Sequence, residues 1–240
     1  DRRQRQMCIR DRYGTDFLVP GMAVEIVDNH TLEAYARRIV AKVERFNKEY
    51  SAVTFTEPLP ENIRPGHLIA ADEPGPDVHI SGCRMSGNRA RGLLIGSRGR
   101  VIIENNYFHI AGASILFEGD GNFWFEQSGV RDVTIRNNIF ANGNYGSRGW
   151  GSACIAVGSG ISQRQTSRYH RNIQVDGNLF RVFDPRIVNL YCVDGFQFSA
   201  SNRIVRTSDY PATFDPKLHF VFDQCDHIEI PRQIEMAEQR

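Results

Sequence analysis

Residues 117–129 read FEGDGNFWFEQSG, the densest mixture of carboxylates and aromatic rings in the chain. Glu118, Asp120 and Glu126 place three acids within nine residues, with Trp124, Phe123 and Phe125 among them. A sugar offers hydroxyls that carboxylates accept and an apolar ring face that an aromatic side chain covers, so this composition fits a carbohydrate subsite. A plainer account fits equally: Trp124 packs the loop onto its scaffold, and the acids are solvated or paired with arginine. Any one of the three acids is a candidate for proton transfer, but nothing in their spacing selects it.

A second cluster is GNRARG at 87–92. Arg89 and Arg91 are two apart, so on a strand they point the same way. At an equivalent edge one repeat before Glu118, either could grip a substrate oxygen or pair with a carboxylate. A surface ion pair explains them as well. His67, His79, His109, His170, His219 and His227 are scattered, and none comes with a Ser or Cys arranged for nucleophilic attack. GSRG at 96–99 is a turn outside the strand–loop–helix setting of a phosphate loop. Cys83, Cys154, Cys192 and Cys225 have no zinc spacing and are expected as thiols filling small core positions. No cofactor and no metal is expected.

The elements that must position these residues are repeats. VIIENNYF at 101–108 recurs as VTIRNNIF at 133–140 and IQVDGNLF at 173–180, with fainter copies at 78–86 and 196–204. Marker residues Ile80, Ile103, Ile135, Val175 and Phe198 are spaced by 23, 32, 40 and 23. A period of 23 with insertions of 9 and 17 is a repeat architecture. Within each copy apolar and polar residues alternate, then an Asn follows at a fixed place. Asn suits a tight bend because it tolerates left-handed dihedrals. Stacked in successive coils, Asn106, Asn138 and Asn178 could also bond to neighbouring backbone.

Between the copies lies a second strand family at 93–96, 114–119, 153–158 and 187–192. Short strands on a roughly 23-residue period, with no helix between them, predict an all-β, right-handed parallel β-helix solenoid. Its inserted lengths fall at 119–129, 142–152 and 158–169, and are expected as loops at one edge.

The domain organisation expected is a non-native tail at 1–12, a β-helix fragment at 13–230 with its clearest coils at 78–204, and a truncated tail at 231–240. Residues 1–12 resemble translated sequencing-adapter read-through. They carry five Arg against two Asp, which leaves the remaining chain at −2 and without a basic surplus for nucleic acid. No stretch reads as a membrane span. Within 32–50 an insertion is either helical or extended. Tyr35, Ile39 and Val43 recur every four positions with Phe46 three further on, and Thr31 could cap, so helix is the plain reading.

The run from Arg89 to Phe140, and YSAVTFTEPLPENIRPG at 50–66, closely resemble family 110 glycoside hydrolases. The resemblance covers about 13–230 and is most specific in a GD-x-x-x-W-x-E core of Gly119, Asp120, Trp124 and Glu126. It implies a metal-free parallel β-helix enzyme that removes terminal α-1,3-linked galactose with inversion. Its partner is a galactosylated glycan, and its setting is secreted or periplasmic. Arg89, Arg91, Glu118, Asp120, Trp124 and Glu126 become the expected substrate-binding residues. Inversion needs an acid and a base about 6.5–9.5 Å apart. The family places an adjacent Asp-Asp pair at that work, and no Asp-Asp pair occurs in this sequence. The chain is therefore expected to be an inactive fragment that keeps later coils. A pectate-lyase-like enzyme and a non-catalytic carbohydrate-binding solenoid are the alternatives.

Overall fold

The computed structural model describes residues 6–10, 16–47, 50–73, 75–121, 125, 129–158, 160–161, 167–211 and 219–238. The first five strands are β1 (Gln6–Arg10), β2 (Ala23–Val27), β3 (Ala34–Arg45), β4 (Tyr50–Phe55) and β5 (Leu68–Ala71). They form one antiparallel sheet in the order β1-β4-β3-β2-β5. Leu18, Val24, Val40, Val53 and Phe55 make its small core.

Two expectations change here. The solenoid does not reach back to residue 13, because residues 23–71 are this antiparallel sheet. The helical reading of 32–50 also gives way to the extended one, in β3. A repeat of four keeps residues on one side of a strand as well as of a helix, so Tyr35, Ile39 and Val43 did not discriminate. At the start of the segment the Asp28 carboxylate accepts from the backbone N–H of His30 and Thr31, and Leu32 adopts φ 57, so Thr31 caps no helix. Phe46, the residue that favoured a helix, is 61% exposed.

From Val78 the chain winds into coils of three strands. These are β6 (Val78–Ser81), β7 (Arg84–Ser86) and β8 (Leu93–Ile95); then β9 (Arg100–Glu104), β10 (Tyr107–His109) and β11 (Ile115–Phe117). The next two coils are β12 (Asp132–Arg136), β13 (Ile139–Ala141) and β14 (Ile155–Val157), and β15 (His170–Asp176), β16 (Leu179–Val182) and β17 (Arg186–Tyr191). After them come β18 (Val193–Phe198), β19 (Arg203–Arg206) and β20 (His219–Asp223), then β21 (Asp226–Glu229) and β22 (Met236–Glu238). Every third strand stacks in parallel, giving sheet one from β6, sheet two from β7 and sheet three from β8. The fold is a right-handed parallel β-helix. Among the described residues no helix is long and apolar enough to cross a membrane.

The marker residues form one continuous row, Ile80↔Ile103↔Ile135↔Val175↔Phe198. A second row stacks Phe108, Phe140 and Phe180, with ring centroids 5.2 and 4.7 Å apart. Those distances lie close to the roughly 4.8 Å spacing of paired strands, so like residues in successive coils meet face to face.

At the first corner, between sheets one and two, the two polar residues of each repeat divide the labour. The left-handed position is the earlier one: Gly82, Asn105, Asn137 and Gly177 have φ of 68, 56, 55 and 63. The later one builds a ladder. Asn138 Oδ1 accepts from the backbone N–H of Asn106 at 2.9 Å and from its side-chain amide at 3.1 Å. Asn178 does the same for Asn138, and Asn202 for Asn178. Each amide also donates to a core-strand carbonyl, Asn138 to Ile103 O at 2.9 Å.

The loops emerge at two corners instead of one. Residues 142–152 leave the second corner, between sheets two and three. The long connections from β11 to β12 and from β14 to β15 lie at the third corner, between sheets three and one. Cys154 and Cys192 fill core positions as expected, whereas Cys83 is exposed.

Candidate functional site

At the third corner the chain runs on past β11 through Glu118, Gly119 and Asp120. The pairing Phe117↔Val157 sets Gly158 beside Glu118 and Gly160 beside Asp120. Backbone hydrogen bonds continue this register, from Gly158 N–H to Phe117 O at 2.8 Å and from Gly160 N–H to Gly119 O at 2.9 Å. Being two apart on extended backbone, the two acids project together. Both are half-buried. A Cβ on Gly158 would stand 3.7 Å from Glu118 Oε1, and one on Gly160 would stand 3.0 Å from Asp120 Oδ1. Glycine in the next coil thus leaves open the space beside both carboxylates.

Behind them lies an aromatic and charged floor. The ring of Tyr169 occupies the space that a side chain at position 119 would need, so Gly119 brings backbone against ring. The Tyr169 hydroxyl is buried and makes no hydrogen bond among the described residues. Burial raises its pKa, with Arg98 and Arg131 opposing and Glu25 and Asp120 adding to the rise. Arg98 pairs with Glu25 of β2 at 2.7 Å, with both side chains largely buried. The antiparallel sheet is docked on this corner: Leu32 and Leu68 pack with Ile161, Tyr169 and Cys192, and the Ser167 hydroxyl donates to Thr31 O at 2.8 Å.

His170 locks the corner together. It is buried, accepts at Nδ1 from Val130 N–H at 3.4 Å, and donates from Nε2 to Gly158 O at 2.8 Å. This assigns the Nε2–H tautomer of a neutral ring. Burial pushes its pKa down to about 4, against a weaker upward pull from the Gly158 carbonyl. An unfolded histidine takes its proton near 6.5. Between those values the unfolded chain binds more protons, so stability is complete above pH 6.5 and falls as pH drops towards 4. The loss expected from this one residue is on the order of 3 kcal/mol. Melting curves between pH 7 and 4 should show His170→Gln lacking that part of the acid slope. Parallel pH profiles for the two proteins would contradict it.

The residues expected from sequence are not all brought together. Arg89 and Arg91 precede β8 at the second corner, while Glu118 follows β11 at the third. Since Ile115 pairs with Leu93, the whole width of sheet three separates them, roughly 16 Å for five residues of strand. The shared edge expected for these arginines and Glu118 is therefore not found. The Arg89 guanidinium sits over the Trp150 ring at 5.5 Å instead. Trp124 and Glu126 lie outside the described residues. Tyr169, His170, Arg98 and Glu25 were missed. They come from three coils and a different sheet, and only the placement of His170 and Tyr169 beside a long insertion hinted at them. Among the described residues no three His, Cys, Asp or Glu side chains converge to hold a metal.

Residues 10–69, which include most of the antiparallel sheet, match the family model described as GLAA-B beta-barrel domain II. Over 199 residues the chain is 38% identical to alpha-1,3-galactosidase A of Shewanella woodyi, covering 82% of this chain and 32% of that protein. It is 33% identical to alpha-1,3-galactosidase B of Bacteroides thetaiotaomicron, over 90% of this chain and 35% of the relative. The figure for alpha-1,3-galactosidase B of Akkermansia muciniphila is 29%, over 92% and 28%. The chain spans about a third of the length of the curated relatives it matches. At 82–92% of this chain, the similarity to these alpha-1,3-galactosidases takes in both its antiparallel sheet and its coils.

Proposed function

We propose that the chain carries the substrate-holding coils of an inverting glycoside hydrolase that releases terminal α-1,3-linked galactose. The observation that carries this reading is the similarity to alpha-1,3-galactosidases over most of the chain. The third corner supplies compatible chemistry. Glu118 and Asp120 stand side by side beside glycines, able to accept from adjacent sugar hydroxyls, and the buried Tyr169 hydroxyl, which makes no hydrogen bond among the described residues, lies next to them. The sequence holds no Asp-Asp pair. These residues are accordingly read as binding and orienting the sugar, and the 240 residues alone as releasing no galactose. Such a protein would work in the periplasm or outside the cell, where galactosylated glycans are met.

The test is a hybrid in which this chain replaces the matching third of the Shewanella woodyi protein. It is assayed on α-1,3-galactobiose and on the branched blood-group B trisaccharide, with the released anomer followed by NMR. Release of β-galactose first is expected from the hybrid and none from the 240-residue chain. Glu118→Gln or Asp120→Asn in the hybrid should lower kcat/KM by roughly tenfold to a hundredfold, the worth of a hydrogen bond to a charged group. A folded hybrid that releases nothing while its parent is active would overturn the reading and leave a non-catalytic carbohydrate-binding solenoid.

A further inference from the structure

The second corner, which the proposed chemistry does not use, carries an aromatic surface of its own. Tyr145 and Tyr210 are each 40% exposed. Their rings are within 20° of parallel, with centroids 6.2 Å apart. His109 stacks on both, at 5.0 Å from Tyr145 and 6.4 Å from Tyr210, and buried Phe183 meets Tyr210 edge-on at 5.2 Å. Three coils thus contribute to one set of near-parallel rings.

Both tyrosines are held by their neighbours. On either side of Tyr145, Asn144 N–H donates to Ile110 O at 3.0 Å and Gly146 N–H to Ala111 O at 2.7 Å. Asn144 takes φ 61 to allow this. The Asn142 amide donates to Asp209 Oδ2 at 2.7 Å, and its oxygen accepts from the Thr207 hydroxyl at 2.6 Å, which fixes the backbone leading into Tyr210. Tyr210 borders a groove of about 570 Å³ that Arg206, Asp209 and Glu238 also line. That volume falls within the roughly 300–1,000 Å³ of small-molecule clefts. A guanidinium beside two carboxylates suits a neutral ligand with many hydroxyls better than a phosphate or a polyanion.

We propose that the second corner is a sugar-binding subsite, separate from Glu118 and Asp120. Tyr145 and Tyr210 form the platform for the apolar face of a hexose, and Asp209 and Arg206 take up its hydroxyls. The class of ligand rests on the carbohydrate reading above; the place rests on this geometry.

The 240-residue chain is titrated with galactose and with α-1,3-galactobiose by saturation-transfer NMR and calorimetry. Saturable binding is expected, weakened about tenfold or more by Tyr145→Ala and by Tyr210→Ala, a loss of about 1.4 kcal/mol. Tyr210→Phe, which keeps the ring, should retain most of it. Both tyrosines are at the surface, and unchanged melting temperatures verify that the variants are folded. Absence of saturable binding, or wild-type affinity in both alanine variants, overturns the proposal. Binding that depends on Glu118 and not on the tyrosines also sinks it, while leaving the hydrolase reading intact. Tyrosine-dependent binding alongside an inert hybrid upholds the subsite and sinks the hydrolase instead.

Discussion

Replacing Asn138 with alanine should lower the unfolding free energy by roughly 3–5 kcal/mol, because several buried polar groups lose partners at once and each costs about 1–3 kcal/mol. The Asn138 side chain accepts from the Asn106 N–H and amide, and donates to Ile103 O, Arg136 O and Asn178 Oδ1. It is 1% exposed, so water does not replace these bonds where they are lost. Asn138→Asp is the sharper variant. It keeps the shape and the acceptors facing Asn106, but it sets a carboxylate against three oxygens. It should be at least as damaging as alanine at neutral pH and should partly recover in acid, when a protonated carboxyl can donate. Denaturant titration of both variants measures this. A loss below 1 kcal/mol for alanine would mean that the ladder is incidental to the fold.

Phe140→Ala should cost a similar amount, about 3–5 kcal/mol, by combining lost burial with an unfilled cavity. The ring is fully buried between Phe108 and Phe180. Its neighbours are held by their own strand pairings and cannot close the gap, and each coil buries its apolar surface only against adjacent coils. Phe140→Leu should restore roughly half of the loss, since it refills part of the volume but not the stacking. Urea midpoints with an unchanged slope would be read as stability alone. A loss under 1.5 kcal/mol for alanine would show that the coils slide together.

The coils were legible because a repeat states its own register. The spacing of Ile80, Ile103, Ile135, Val175 and Phe198 is the pairing seen in sheet one. Residues 34–45 were not legible as β3, since an apolar recurrence of four serves either period and the deciding partners are strands β2 and β4. The site was half legible. Glu118 and Asp120 do lie together, because neighbours in sequence on extended backbone cannot do otherwise. The partners of Arg89 and Arg91 could not be read, since the corner at which a residue falls depends on which sheet precedes it. Tyr169 and His170 gained their roles from burial between coils and beneath the antiparallel sheet, which no local pattern states.

The Asn ladder also divides where this lineage can change from where it cannot. A two-residue turn lies between β6 and β7, β9 and β10, β12 and β13, and β15 and β16, while the other two corners range from tight bends to long loops. Between β18 and β19 the corner is two residues longer, yet Asn202, the residue just before β19, still closes the row, so what the ladder fixes is an Asn immediately ahead of the sheet-two strand. Insertions elsewhere meet no such constraint. Relatives should therefore differ most in loop length at the second and third corners, and keep an Asn ahead of the sheet-two strands at the first. The two corners that face the proposed ligands are the ones left free to vary.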